Sequence, residues 1–499
     1  MNICDWIACW AEKSPDKAAI LFEDQVISYR VFENRARELA AILQSDFDIE
    51  HGDRVAYFGL NTPEFLYLLF ALARLGGVLA PLNWRLSASE LNVLVENAAP
   101  KVLVLDKTLG CEWARNGFSD CSLLDLSQLE SSGQKPAHTP ATNAQKIENC
   151  GAEPLLLVYT SGTTGEPKGA LLSHNAILAN ARNSQAMHQL TAEDNSLVSL
   201  PFFHVGGLNI LTTPSLYVGG TVTLHRTFDP GKMLRTMAGG EPTRVPIVSA
   251  QMPPILSLPE WEKAEFPGIR SVTTGASPVS PSVYASWQNK GVDVLQVYGA
   301  TETCPIAICT SVGDDAPNIE TTGRAAANCR IRIVDNEGRN VSPGQKGEIL
   351  IKGDNVMNGY WRNELATSEV LVDGWYASGD VGFEDDEGYY YIVDRKRDLI
   401  ISGGENIFPA EVESLLTEDA GIVEAAVIGK SDERWGEVPI AVVRLAQGIS
   451  LDERTVLSSL EGKLGSYKIP KAVVFVDEFP RNSVGKIQKY MLRDNLFRE

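Results

Sequence analysis

The sequence predicts an α/β protein: a large N-terminal domain of helix-covered, mostly parallel sheets, followed by a small C-terminal α+β domain. Three observations carry this expectation. A chain of 499 residues is too long for one ordinary core, so two or more domains are expected. Strand-like and helix-like segments alternate through residues 1–150, the pattern of a parallel sheet covered by helices. At Asp394-Arg395-Lys396-Arg397-Asp398 a dense charge cluster interrupts strand-like segments, as an exposed linker does. The expected domains are therefore 1–396 and 397–499, with the joint near 394–398.

In chain order, Arg54-Val55-Ala56-Tyr57-Phe58 suits a strand, and Pro63 to Leu75 suits a helix with proline in its first turn. Gly76-Gly77 stops that helix, and Val78-Leu79-Ala80 starts the next strand. Lys101 to Leu105 repeats the strand pattern. Residues 107–150 are polar and read as irregular. The most apolar window, Phe65 to Ala80, contains Arg74 and two glycines and is too short for a bilayer, so it reads as core. A helix is expected from Ser173-His174-Asn175 to about Met187. In the C-terminal domain, strands at 424–428, 440–444 and 472–476 alternate with helices near 409–417 and 451–464.

The segment around which the rest is organised is Leu155-Leu156-Leu157-Val158-Tyr159-Thr160-Ser161-Gly162-Thr163-Thr164-Gly165-Glu166-Pro167-Lys168-Gly169. A buried strand breaks into three glycines, four hydroxyl side chains and one lysine. Glycine lets backbone N–H groups approach a ligand, hydroxyls add donors, and Lys168 adds positive charge; together they cradle a polyphosphate. A Walker A loop carries glycine directly before its lysine. Pro167 holds that place here, which disfavours a Walker NTPase.

Further chemistry-bearing turns follow. His204 lies in the apolar, glycine-flanked turn Pro201-Phe202-Phe203-His204-Val205-Gly206-Gly207. Ser271 to Pro278 and Val294 to Thr303 are strands ending in small-residue turns. In the second, Tyr298 offers a flat face for adenine, Thr301 a hydroxyl for the α-phosphate, and Glu302 a hard oxygen for Mg²⁺; Tyr298 as plain core and Glu302 as a helix-start acid are the structural alternatives. Asp380, in Gly374-Trp375-Tyr376-Ala377-Ser378-Gly379-Asp380, can accept hydrogen bonds from both hydroxyls of a ribose. Lys486 follows the turn Pro480-Arg481-Asn482-Ser483-Val484-Gly485.

These segments, in this order and over nearly the whole chain, resemble the signatures of the adenylate-forming enzymes: acyl-CoA synthetases, peptide-synthetase adenylation domains and beetle luciferases. The resemblance implies ATP, Mg²⁺ and CoA as co-substrates and a small, mobile C-terminal domain. It implies nucleotide contacts from Thr160, Ser161, Gly162, Thr163, Thr164, Gly165 and Lys168. Gly275, Ala276, Ser277, Tyr298 and Gly299 would line the AMP site, with Asp380 and Arg395 on the ribose. Lys486, Thr301, Glu302 and His204 would be catalytic, with Glu302 holding the metal and His204 between the acyl pocket and the CoA channel. Ser402, Gly403, Gly404 and Glu405 match the loop lining the pantetheine tunnel. Arg397 stands at the hinge, where the family commonly has Asp or Lys. Phe203, Val205, Gly206, Met252 and Cys304 stand at acyl-pocket positions, beside Gly299 and Thr303. Being mostly small or apolar, they lead to a fatty or other hydrophobic monocarboxylic acid as the expected substrate, with a benzoate-type aromatic acid as the alternative. CoA is the expected acceptor, and an acyl-AMP ligase loading a carrier protein is the variant.

Composition narrows the partners. The 44 basic against 64 acidic side chains give a formal charge of −20, which repels nucleic acid and anionic membrane as bulk partners. It repels ATP and CoA too, so a polyanion site must be a local cationic island. Eight scattered cysteines without a CxxC pair, and Asp5, Glu12 and Lys13 interrupting the first apolar residues, predict a reducing, cytoplasmic home. A homodimer is the ordinary default for such a chain. A purely regulatory nucleotide-binding protein is the rival class; Lys168, Glu302, Asp380, Arg395 and Lys486, all present, argue against it.

Overall fold

The computed structural model describes residues 2–114, 118, 121–128, 151–160, 167–276, 279–316, 319–395, 398–402, 405–432, 435–461, 463–465, 467–481 and 486–497. The chain forms two compact units: Met1–Ile331 with Ile351–Tyr376, and Arg332–Leu350 with Ala377–Glu499. Residues 377–396, which precede the expected linker, thus group with the C-terminal residues.

The first unit holds two sheets. The nine-stranded sheet runs in the order Arg324–Ala325, Ile308–Cys309, Asp293–Tyr298, Ser271–Gly275, Arg244–Pro246, Asn195–Val198, Thr221–Leu224, Ala18–Phe22 and Gln25–Ser28. Its pairs are parallel from Asp293–Tyr298 through Ala18–Phe22 and antiparallel at both ends. The seven-stranded sheet runs Gly359–Tyr360, Lys168–Ser173, Pro154–Thr160, Val78–Leu82, Arg54–Phe58, Val102–Leu105 and Ser122–Asp125. Its last five strands pair in parallel, and Lys168–Ser173 runs antiparallel to both neighbours.

The helix Pro63–Leu75 shows how local sequence sets these elements. Pro63 opens it, and Gly76 ends it at φ 70° in the left-handed region that favours glycine. Between them nearly every side chain is buried, including Phe65, Leu68, Leu69 and Leu72, so the apolar window is core. No helix among the described residues is long and apolar enough to cross a membrane.

Residues 107–150 correct the expectation of irregular chain. Two short 3-10 turns, Lys107–Leu109 and Glu112–Ala114, precede the strand Ser122–Asp125, which pairs in parallel with Val102–Leu105. At this sheet edge only Leu124 points into the core while Ser122 and Leu123 are exposed, so the strand shows no apolar run. Residues 129–150 lie outside the described residues.

In the second unit Trp375–Glu384, which starts in the first, pairs antiparallel with Tyr390–Arg395. A further five-stranded sheet is built on the long antiparallel pair Ile422–Asp432 and Gly436–Leu445, with Val473–Phe475 added in parallel. Its core gathers Ile400, Ile407, Val412, Leu416, Val427 and Val443. The expected helix at 451–464 is only Glu453–Ser458, capped by the Asp452 side chain.

Candidate active site

The strand Pro154–Thr160 is fully buried from Leu155 to Val158 and returns antiparallel as Lys168–Ser173, with Thr160 opposite Lys168. The Thr160 hydroxyl donates to the Lys168 carbonyl at 3.3 Å, closing the base of the loop. Ser161, Gly162, Thr163, Thr164 and Gly165 lie outside the described residues. A Cβ on Gly169 would stand 2.5 Å from the end of the Leu157 side chain and 3.1 Å from the Tyr159 ring, so a larger residue would have to displace Leu157. Tyr159 in turn donates to Asn97 Oδ1 at 2.7 Å.

The strands Ser271–Gly275 and Asp293–Tyr298 run side by side in parallel, with Gly275 opposite Val297, so Gly275, Ala276, Tyr298 and Gly299 come together at their C-terminal ends. That end of a parallel sheet is where open α/β folds place ligands. A Cβ on Gly299 would lie 1.6 Å from the Pro305 carbonyl oxygen, so only glycine fits. Ser277 lies outside the described residues. After Tyr298 the turn Thr301–Thr303 buries Glu302, whose Oε1 accepts a 2.7 Å hydrogen bond from the Tyr360 hydroxyl. Burial, then the Glu302 carboxylate, pushes the Tyr360 phenol far above its ordinary pKa, so it remains a donor. Among the described residues there is no cluster of three or more side chains able to ligate a metal. One carboxylate, one oxygen of it held by a phenol, suits Mg²⁺, which keeps waters and substrate phosphates as its other ligands.

Phe203 and His204 pack ring to ring with centroids 4.5 Å apart, and Trp84 meets Phe203 edge-on at 6.4 Å. The Arg85 guanidinium stands 4.8 Å from the Trp84 ring and 5.9 Å from that of Phe203. Burial, reinforced by the Arg85 charge, pushes the His204 imidazole down to about 4, so it is neutral at neutral pH. Its Nε2 is buried without a partner among the described residues. Val205 is buried and Gly206 half-buried in the short helix after it. Cys304 is fully buried, accepts from Asn209 Nδ2 at 3.3 Å, and has its thiol pushed far up by burial, so it is no nucleophile. Met252 is fully buried in the cluster that contains Met233, Val245 and Trp287.

In the second unit, Asp380 and Arg395 are direct cross-strand partners, with Arg395 Nε 3.2 Å from Asp380 Oδ1. Ser402 and Glu405 face each other across the hairpin of Ile400–Ser402 and Glu405–Ile407. Gly403, Gly404 and the hinge candidate Arg397 lie outside the described residues. Lys486 is exposed on a returning segment held by the Arg481–Ile487 bridge and by the Gln488 N–H donating to the Pro480 carbonyl at 2.8 Å. Three residues on, Lys489 Nζ pairs with Glu413 Oε1 at 2.7 Å. Burial pushes the Glu413 carboxyl up, and Lys489, despite its own burial, is held above the usual lysine range by Glu413, Asp394 and Asp398.

Sequence reading overlooked Tyr360, the Trp84–Arg85 pair and the Glu413–Lys489 pair. A glycine followed by two aromatics at 359–361 was the available signal for Tyr360. Nothing in the spacing pointed to a partner 58 residues earlier.

The family model for the AMP-binding enzyme matches residues 7–361, and that for the AMP-binding enzyme C-terminal domain matches 411–486. The chain is 42% identical, over 100% of its own length and 99% of the relative's, to the indoleacetate–CoA ligase of Aromatoleum aromaticum. It is 36% identical to the feruloyl-CoA synthase of an Amycolatopsis species, with 98% of each chain covered. Among solved structures, the o-succinylbenzoate CoA synthetase of Bacillus subtilis in complex with its acyl-adenylate intermediate matches with a TM-score of 0.88 at 31% identity, over 98% of each chain. The same synthetase has been solved with ATP and a magnesium ion. With two family models in sequence order and full-length relatives, the chain belongs to the AMP-binding, adenylate-forming enzymes, in their AMP-forming acid–CoA ligase branch, which uses ATP, Mg²⁺ and CoA.

Proposed function

We propose that the acid activated by this ligase is an aromatic monocarboxylic acid, the alternative in the sequence reading, and not a fatty acid. The observation that carries this is the aromatic wall of Trp84, Phe203 and His204. Rings set edge-on and tilted to one another offer a further ring both face and edge contacts, whereas an alkyl chain gains only area. The neutral His204 adds an uncharged ring with one buried nitrogen free of partners among the described residues. The names of the relatives support the aromatic part of this reading, since they speak of indoleacetate, ferulate and o-succinylbenzoate, the first two being monocarboxylic.

In the proposed reaction a carboxylate oxygen attacks the α-phosphorus of ATP, the bond to pyrophosphate breaks, and the acyl-adenylate then passes its acyl group to the CoA thiol with release of AMP. The acid is already ionised at neutral pH, so the first step needs no general base. An anion meeting a polyanion is what opposes it. The protein's task is therefore positioning and neutralisation of charge. Lys486 supplies the ammonium between carboxylate and α-phosphate, Thr301 donates to that phosphate, and Lys168 with the 160–169 loop holds the departing pyrophosphate. Asp380 and Arg395 fix the ribose. Magnesium, held by Glu302, supplies further neutralisation of the phosphates. Turning of the C-terminal domain about Arg397 would exchange Lys486 for the 402–405 loop between the two steps.

The test is acid-dependent ATP–pyrophosphate exchange and CoA-thioester formation over arylacetates, arylpropenoates, benzoates and C8–C16 fatty acids. Aromatic acids are expected to exceed the best fatty acid at least ~10-fold in kcat/KM, the scale of one lost pocket contact. A fatty acid equal to the best aromatic acid would overturn the reading. Thioester formation on a carrier protein but not on CoA would overturn CoA as the acceptor.

A further inference from the structure

The two halves of the proposed phosphate and metal site sit on different sheets, and residues 355–361 join them. On one side the Asn355 amide donates to the Thr303 carbonyl at 2.7 Å and the Met357 N–H to the Glu302 carbonyl at 2.8 Å, gripping the turn after Tyr298. On the other side Gly359 and Tyr360 pair with Leu171 and Ala170, and the Trp361 N–H donates to the Gly169 carbonyl at 2.7 Å, gripping the strand that begins with Lys168. Tyr360 stands between. Its hydroxyl donates to Glu302 Oε1 at 2.7 Å, and the Lys168 ammonium lies 5.4 Å from the centre of its ring. Tyr376 hydrogen-bonds to the same hydroxyl.

An ammonium and a carboxylate that contact the same side chain could close into an ion pair, cancelling both charges. Among the described residues Lys168 and Glu302 form no such pair: Glu302 Oε1 takes the Tyr360 hydroxyl, and the Lys168 ammonium faces the Tyr360 ring. Tyr360 gives each a different partner: a hydroxyl for one carboxylate oxygen, a π-face for the ammonium. Among the described residues the second Glu302 oxygen and the Lys168 ammonium N–H groups have no partner, which leaves them to a ligand carrying both a cation and phosphate oxygens.

We propose that Tyr360 is a positioning residue of the nucleotide site, holding Glu302 through its hydroxyl and Lys168 through its ring so that the two charges meet a metal–polyphosphate separately instead of neutralising each other. This rests on the proposed roles of Glu302 and Lys168 toward Mg²⁺ and phosphate.

The experiment titrates ATP into the full-length protein without acid, with Mg²⁺ varied and with Mg²⁺ absent, and follows Mn²⁺ binding to the ATP-loaded protein by EPR. Tyr360→Phe keeps the ring and removes the hydroxyl. It is expected to raise the half-saturating Mg²⁺ and weaken Mn²⁺ binding ~10-fold or more, the usual scale for a partner that orients a metal ligand, while metal-free ATP affinity stays within about twofold, since the ring remains. Tyr360→Leu should weaken metal-free ATP binding as well. Tyr376→Phe, which removes a partner of the Tyr360 hydroxyl and leaves Tyr360 itself in place, should shift the Mg²⁺ dependence in the same direction and serves if the Tyr360 variants misfold. An Mg²⁺ dependence unchanged in Tyr360→Phe while Glu302→Gln shifts it would overturn the proposal and leave the ligase reading standing. Unchanged metal binding in Glu302→Gln would overturn the metal role of Glu302 itself, and with it the route by which Tyr360 acts.

Discussion

Arg395 lies directly across the strand pair from Asp380, its Nε 3.2 Å from Asp380 Oδ1, in a site where the carboxylate is largely buried and the guanidinium partly exposed. The backbone of Asp380 is fixed too: its N–H donates to Ser378 Oγ, which donates to the Ile349 carbonyl at 2.7 Å. A carboxylate held this way presents its lone pairs in a set direction, which suits a pair of vicinal hydroxyls.

Asp380→Ala is therefore expected to weaken ATP binding by about 10- to 150-fold, the range for hydrogen bonds to a charged group, with little change in the KM for the acid. Calorimetric titration of ATP checks this; unchanged affinity would remove Asp380 from the nucleotide site.

Lys486→Ala should lose at least ~100-fold in adenylate formation, the scale of a removed charge-stabilising group. It should still convert supplied acyl-adenylate to CoA thioester. Single-turnover assays of each half-reaction separate the two, and equal losses in both would count against a first-step role.

The returning segment of Lys486 leads into the helix Lys489–Phe497, whose first residue pairs with Glu413. Both side chains are mostly buried, so Lys489→Met leaves a carboxylate without its cation and should cost about 3–5 kcal/mol of stability. Urea unfolding of the variant provides the measurement. Joint replacement of Glu413 and Lys489 by leucine should recover most of the loss, because the desolvated charge is then gone.

Four histidines, His174, His188, His204 and His225, are each pushed down from 6.5 to about 4 chiefly by burial. The unfolded chain therefore binds more protons than the folded one between those two values. Stability should be complete above about pH 6.5 and fall as pH drops toward 4, with up to ~1.4 kcal/mol per pH unit for each histidine. His188 is the cleanest case: its Nε2 lies 2.7 Å from Thr273 Oγ1 and its Nδ1 2.9 Å from the Ser184 carbonyl. Unfolding midpoints from about pH 4.5 to 7 should give a shallower slope for His188→Gln than for the parent protein; identical slopes would show that this ring does not titrate with unfolding.

The local sequence already determined the elements whose signals are local. Pro63 and Gly76 bound a helix because one fits the first turn and the other the left-handed end. The apolar run 155–158 is a buried strand, and the glycine–hydroxyl–lysine segment after it announces a polyanion. Charge decided the partner class in the same way, since a chain at −20 meets ATP only through a local cationic island. Tertiary structure alone decided the relations between distant residues. That Tyr360 answers both Lys168 and Glu302, that Trp84 closes on Phe203, and that Lys489 finds Glu413 all depend on strand register and helix packing. No periodicity encodes these, because a hydrogen bond or ring contact joins atoms in space whatever the chain length between them. The ring cluster from which an aromatic acid is proposed belongs to this second group: pocket positions read singly look merely apolar, and only their packing brings Trp84, Phe203 and His204 together.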